Sequence, residues 1–246
     1  MKDLKIELEA FIQQLNWTET SSDDIIAKLK AQIAITHDEN ANIMVGDSKQ
    51  GGVPDVPKNF EWPEDERGPL SFVLQYNCKD LQGFDGSDQL PVVGNILVFM
   101  RGEDGMEEAI VKYVTETELS PAIVPENTEV LEELKMKFHQ YYALPGSMDF
   151  DLDADGAFVD YDIYTFLNNK IFDDEDASFD VLLGYPKYID LCQEEDEEDE
   201  EGDAAEVVLL FEIDAEIFSE AGGFVGGIVL ADELKKGNLD VADLLT

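Results

Sequence analysis

The stretch SKQGGVPDVPKNFEWPEDERGPLSFVLQYNCKDL, Ser48 to Leu81, decides the fold. Its first half is built from residues that forbid a regular helix: Gly51, Gly52, Pro54, Pro57, Pro63, Gly68 and Pro69 favour an extended, turn-rich path. Its second half has the period of a strand. Leu70, Phe72, Leu74 and Tyr76 alternate with Ser71, Val73 and Gln75, so the even-numbered side chains are expected to face a core. Phe60 and Trp62, two apart ahead of Pro63, can lay their rings over the end of that sheet. No nucleophile–base pair and no phosphate-cradling glycine pattern occurs here, so the stretch reads as scaffold.

Toward the N-terminus, Leu4, Leu8, Phe11, Ile12 and Leu15 recur at helical spacing. A second helix is expected from about Ser22. Ser21 or Ser22 caps it, Asp23 and Asp24 suit the positive end of its dipole, and Ile25, Ile26, Leu29 and Ile33 form its apolar face. Ile33 and Ile35, then Ile43 to Val45, read as short strands interrupted by a polar turn, which leaves His37 solvated. Beyond the signature, Val92 to Met100 and Ala109 to Thr115 extend an antiparallel meander. Glu126 to Lys135 reads as a short helix or an exposed loop. Met136 to Tyr142 alternates again, with Met136, Phe138 and Gln140 on one side and Lys137, His139 and Tyr141 on the other, so His139 is expected on a sheet surface. Phe158 to Phe172 has the pattern of a helix.

After Leu182 the signature returns in weaker form. Gly184-Tyr185-Pro186 echoes Gly52-Val53-Pro54, Val207 to Ile213 echoes Leu70 to Tyr76, and Gly226 to Val229 echoes Gly94 to Leu97. The fold class that follows is α+β: an N-terminal helical pair plus two related, mainly antiparallel β subdomains. The expected layout is a single globule, 1–246. Within it, 1–46 holds the helical pair and short strands, 47–120 the first β subdomain, 121–181 a connecting segment with an acidic loop, and 182–246 the second β subdomain.

Ser48, Lys49, Gly51, Gly52, Pro54, Pro57, Trp62, Pro63, Gly68, Pro69, Leu70, Gln75 and Asn77 follow the order S-K-x-G-G-x-P, W-P, G-x-P-L, then an apolar strand ending in Q-x-N. In this the chain resembles the YwqG-like family of uncharacterised bacterial proteins. Leu183, Gly184, Tyr185, Pro186, Gly227, Ile228, Asp232 and Leu234 extend the resemblance. The family's W-G-D-x-G is replaced here by Ala221 to Gly226, so its Trp and Asp are absent. The resemblance implies no established activity; an immunity-type inhibitor of a toxin is the role that the kind of setting in which such families occur suggests.

Against 57 Asp and Glu stand 16 Lys and Arg, a formal charge of −41 over 246 residues. Such a field repels nucleic acid and anionic membranes, and attracts basic proteins and divalent cations. The expected partner is a basic protein, with no nucleic acid and no membrane. Cys78 and Cys192 fit no metal or redox spacing, and no signal peptide or membrane-length apolar run is present, which makes a reduced cytoplasm the default. The block from Glu194 to Asp203 reads as a solvated loop.

One constellation points to a metal. From Asp151 to Asp162 the spacing places Asp151, Asp153 and Asp155 at positions one, three and five of a twelve-residue calcium loop. Gly156 follows for the turn, Ala157 offers a backbone carbonyl, and Asp162 closes the shell. Asp162 is a shorter arm than the usual Glu, and Pro145-Gly146 lies where an entering helix belongs. The functional expectation is a non-enzymatic protein-interaction module. A calcium-binding protein and an enzyme with a carboxylate-lined cleft, where Lys49 or His139 converge, stay open as alternatives.

Overall fold

The computed structural model describes residues 2–15, 21–101, 109–145, 156–174, 177–186, 207–214, 224–239 and 243–245. In order these form α1 (Lys2–Ile12), α2 (Ser22–Lys28), β1 (Lys30–Asp38), β2 (Lys49–Gln50), β3 (Asp55–Val56), β4 (Glu64–Asp65), β5 (Gly68–Pro69) and β6 (Ser71–Asn77). There follow β7 (Asn95–Met100), β8 (Ala109–Val114), β9 (Ser120–Pro121), β10 (Leu134–Ala143), α3 (Gly156–Phe172), β11 (Asp180–Leu182), β12 (Val207–Asp214), β13 (Phe224–Leu230), α4 (Ala231–Lys236) and β14 (Asp243–Leu245). The fold is α+β, a few helices on one large antiparallel sheet.

Ten strands join in the order β14-β13-β12-β11-β1-β10-β2-β6-β7-β8. The long pair β1 and β10 forms the middle, registered from Lys30 opposite Ala143 to Asp38 opposite Lys135. The meander β6-β7-β8 hangs on one side through β2, and β12-β13-β14 hangs on the other through β11. The two expected β regions are therefore halves of one continuous sheet. Two-residue pairs, β3 with β9 and β4 with β5, lie outside it.

Both faces of the sheet are covered. On one, Ile33, Ile35, Leu74, Tyr76, Ile96, Val98, Leu210, Phe211 and Ile213 pack beneath Cys78, Leu81, Leu90 and α4's Leu234. On the other, α1, α2 and α3 set Leu8, Ile12, Ile25, Ile163 and Leu167 against Ala34, Tyr141, Val181 and Leu209. Phe11 stacks on Phe166 at 4.4 Å, tying α1 to α3. Further along that side Phe60 and Trp62 cover the meander, with Trp62 edge-on to Phe99 at 5.3 Å and its indole N–H donating to the Leu70 carbonyl at 2.8 Å. Such ring pairs add about 0.5–1.5 kcal/mol each beyond the area they bury.

Several expectations change. The even-numbered side chains of β6 do not share one core: Leu70 and Phe72 lie in the Trp62 cluster, Leu74 and Tyr76 in the opposite one. A bulge between Phe72 and Leu74 reverses the alternation, since one extra residue exchanges the faces of all that follow. Val73 and Gln75 are buried as well. Ile33 belongs to β1 rather than to the second helix, Ile43 to Val45 form no strand, and Glu126 to Lys135 is no helix, β10 beginning at Leu134. His37 is not a solvated turn residue. It lies in β1, opposite Met136, with its side chain 23% exposed.

Two glycine positions are required by close approach. Gly51 has φ +65°, and a Cβ there would stand 1.9 Å from the Glu132 carbonyl oxygen. In β13 a Cβ on Gly227 would stand 2.5 Å from the ring of Phe211, its cross-strand partner. By contrast, a Cβ at Gly83, also at positive φ, meets nothing within 4 Å. Gly51→Ala is expected to cost more than about 2 kcal/mol of unfolding free energy, against about 1 kcal/mol for Gly83→Ala, in urea titrations followed by circular dichroism.

Candidate functional site

β2 is two residues long yet sits between β10 and β6, so side chains must do what a longer ladder would do. Gln75 is fully buried: its Oε1 accepts from the Asp55 amide at 2.8 Å, and its Nε2 donates to the Asp47 carbonyl at 2.9 Å and to Asp55 Oδ2 at 3.2 Å. Asp55 Oδ2 also accepts from the Gly46 amide. Lys49 Nζ lies 3.4 Å from that oxygen and 3.0 Å from Glu133 Oε1, with the lysine 4% exposed. Ser48 Oγ accepts from the Asn77 amide and donates to Asp80, and the Asn77 side chain donates to the Gly46 carbonyl. Ser48, Lys49, Gln75 and Asn77 are thus spent on holding the 46–55 loop and β2 against β6. A buried charge held this way stabilises only while its partners remain.

On the helix-bearing side of the sheet, Thr36 and Asp38 of β1 stand opposite Lys137 and Lys135 of β10. Lys137 pairs with Asp38 at 2.6 Å, and Lys135 pairs with Asp47. Burial alone would push the Asp47 carboxyl up, but the Lys135 ammonium and the Met44 amide outweigh it and hold it below the usual range. His139 Nε2 is 2.9 Å from Thr36 Oγ1, and its ring sits edge-on to Phe172. Burial, then the nearby Lys137 charge, pushes His139 down, so the imidazole is neutral at pH 7. Among the described residues no carboxylate pairs with His139, so the hydroxyl–imidazole pair lacks the orienting acid of a hydrolase triad.

On the opposite face His37 Nε2 lies 3.6 Å from Asp180 Oδ2. Burial lowers the ring's basicity and outweighs the nearby Gln50 side chain, which favours the charged ring. Tyr76 is fully buried, and burial, reinforced by Asp180, raises its phenol well above the ordinary value. Cys78, also buried, is pushed up to about 12 by loss of solvent and is an unreactive thiol.

The sequence-predicted metal ligands divide. Asp151, Asp153 and Asp155 lie outside the described residues. Ala157 and Asp162 lie in α3, which already begins at Gly156. Helical geometry directs the Ala157 carbonyl toward the amide four residues on, rather than toward an ion. Among the described residues no group of three or more His, Cys, Asp or Glu is disposed to hold a metal. Glu194 to Asp203 and Cys192 also lie outside them. A groove of about 340 Å³ opens between Leu90, Val92 and Tyr113 on one side and Leu234 and Lys236 on the other. Asp88 is the one carboxylate on its wall, and neither Lys49 nor His139 reaches it.

Sequence reasoning missed His37, Gln50 and Asp180. Their one signal was positional: polar residues inside or beside apolar strands.

A ten-stranded antiparallel sheet with a buried polar staple at β2 defines an α+β domain. Residues 48–229 match the family described as domain of unknown function (DUF1963), and the chain belongs to that family. Comparison with curated proteins finds no match. Among the described residues no helix is long and apolar enough to cross a membrane.

Asp55→Ala, which leaves Lys49 and Gln75 without their shared partner, is expected to cost about 3 kcal/mol in urea unfolding. Glu133→Ala, whose carboxylate is 44% exposed, should change stability by less than about 1 kcal/mol. The Arg101 guanidinium beside Asp65 holds that carboxyl far below the usual range, with lesser help from the Arg67 amide. Because the folded value is depressed, this contribution is complete above the unfolded value of about 3.9 and fades as pH falls further. Arg101→Leu should return the Asp65 carboxyl toward that value in a carbon-detected NMR titration.

Proposed function

We propose that the chain is a non-enzymatic protein-interaction module whose anionic surface receives a basic protein. The observation that carries this reading is how the cations are used. Lys49, Arg67, Arg101, Lys135, Lys137, Lys170, Lys235 and Lys236 each lie within 4 Å of a carboxylate of the same chain. At least half of the 16 basic side chains thus pair with carboxylates of the same chain, in which acids outnumber bases by 41. A field of this kind speeds encounter with a basic partner and rejects polyanions. The buried thiol of Cys78 is in keeping with a reduced cytoplasm. Immunity-type inhibition of a basic toxin is the narrow form of the reading, and the YwqG-like label the narrow form of the family.

We also propose that the two halves of the sheet are related by duplication. The bulge between Phe72 and Leu74 in β6 has a counterpart between Leu209 and Phe211 in β12. Gly51 and Gly52 are left-handed after β2, as Leu183 and Gly184 are after β11. The Asn77 amide donates to Ser48 Oγ, and the Asp214 amide donates to Asp180 Oδ1. Three unrelated local features in the same order favour common descent over convergent turns. A crystal structure should superpose β2-β6-β7 on β11-β12-β13 with both bulges aligned; misaligned bulges would break the relation.

For the interaction reading, the immobilised protein is to be exposed to a panel of small basic proteins and one acidic control. Retention of a basic member at about 20 mM salt, lost by about 500 mM, is expected, since the Debye length shrinks from roughly 20 to 4 Å. No retention at low salt, or retention insensitive to salt, would contradict it.

A further inference from the structure

Ordinarily a buried polar atom has a partner. Among the described residues, His37 Nε2, Gln50 Oε1 and Tyr76 OH are buried with no hydrogen-bond partner within 3.5 Å, although the Gln50 side chain lies near enough to the imidazole to favour its charged form. All three belong to the face of the sheet that also carries Asp180. Asp180 stands opposite Ile35 in the β1–β11 register, two residues from His37 on the same side of β1. Gln50 in β2 stands opposite Leu134 of β10, two residues from Met136, and opposite Leu74 of β6, two residues from Tyr76. Gln50 and Tyr76 are 3% and 1% exposed.

The His37–Asp180 separation is informative. At 3.6 Å it is too long for a hydrogen bond. It suits two ligands of one ion, since bonds of about 2.0–2.2 Å place neighbouring ligand atoms roughly 3–3.6 Å apart. Asp180 is also oriented for such a role. Its Oδ1 accepts from the Asp214 amide at 3.1 Å, which turns Oδ2 toward the imidazole, the kind of outer contact that fixes a metal-binding carboxylate. A histidine nitrogen, a carboxylate oxygen and an amide oxygen form a donor set for zinc, manganese or nickel rather than for calcium, which takes six to eight oxygens.

We propose that His37 Nε2 and Asp180 Oδ2, completed by Gln50 Oε1, form a site for a transition-metal divalent cation at the junction of β1, β2 and β11, with the Tyr76 hydroxyl beside it. The site is separate from the Asp151–Asp162 loop and from the acidic surface.

The chain has two histidines, so each can be followed individually. The test adds zinc chloride to the whole protein and records the ring nitrogens of His37 and His139 in a long-range proton–nitrogen NMR experiment. One equivalent is expected to shift His37 Nε2 while His139 stays in place, and one equivalent of calcium should move neither. By competition with a chromophoric chelator, Asp180→Asn and His37→Gln should weaken the tightest zinc site at least about tenfold. An unmoved His37 at stoichiometric zinc would overturn the proposal. So would a His37→Gln protein that binds zinc as tightly as the parent, since the ion would then sit on surface carboxylates. If His37→Gln fails to fold, the NMR result on the parent decides alone.

Discussion

The sheet is continuous because two residues of β2 are held in place by side chains. Among the described strands, β2 (Lys49–Gln50) is the one that joins the central β1–β10 pair to the meander, and so short a ladder supplies few hydrogen bonds of its own. Gln75 grips the Asp47 and Asp55 backbone, Asp55 holds Lys49, and Ser48 with Asn77 closes the other end. Left-handed backbone at Gly51 and Gly52 then turns the chain away, sending the Gly51 amide to the Val73 carbonyl at 2.7 Å and the Gly52 amide to the Leu131 carbonyl. The conspicuous motif of this chain, from Ser48 to Asn77, is thus explained by the join it makes. Its lysine is a structural cation, and its tryptophan a lid over Phe99.

Both faces of the sheet are covered, and at least eight of the 16 basic side chains are paired with carboxylates of the same chain. The join at β11 differs from that at β2 in one chemical respect. Where Ser48 caps the Asn77 amide on one side, Asp180 Oδ1 caps the Asp214 amide on the other, and Asp180 Oδ2 lies 3.6 Å from His37 Nε2.

Much of the architecture was readable from local pattern. The first three helices, the meander, the strand at Met136 to Tyr142 with its two faces, and the aromatic cover by Phe60 and Trp62 follow from periodicity and turn residues, whereas α4 was not foreseen. Non-local facts were not readable. A bulge has no sequence code in VVLLFEID or SFVLQYN, yet it reverses which side chains meet which core. The pairing of β1 with β10 joins residues about a hundred apart, and nothing local announces it. Composition hid the buried acids most of all: among 57 carboxylates, Asp55, Asp180 and Glu212 are buried, and only their placement in apolar or signature sequence set them apart. His37, at the end of an apolar strand and followed by Asp38, Glu39 and Asn40, had every mark of a turn.

The polar staple welds β2 into the sheet as firmly as the long strands are joined. Native-state hydrogen exchange measures this at single amides. The Gly51 amide should exchange only with global unfolding, at the same opening free energy as the amides of Leu97 in β7 and Leu209 in β12. Exchange of Gly51 by a local opening several kcal/mol cheaper, with both half-sheets still protected, would contradict it.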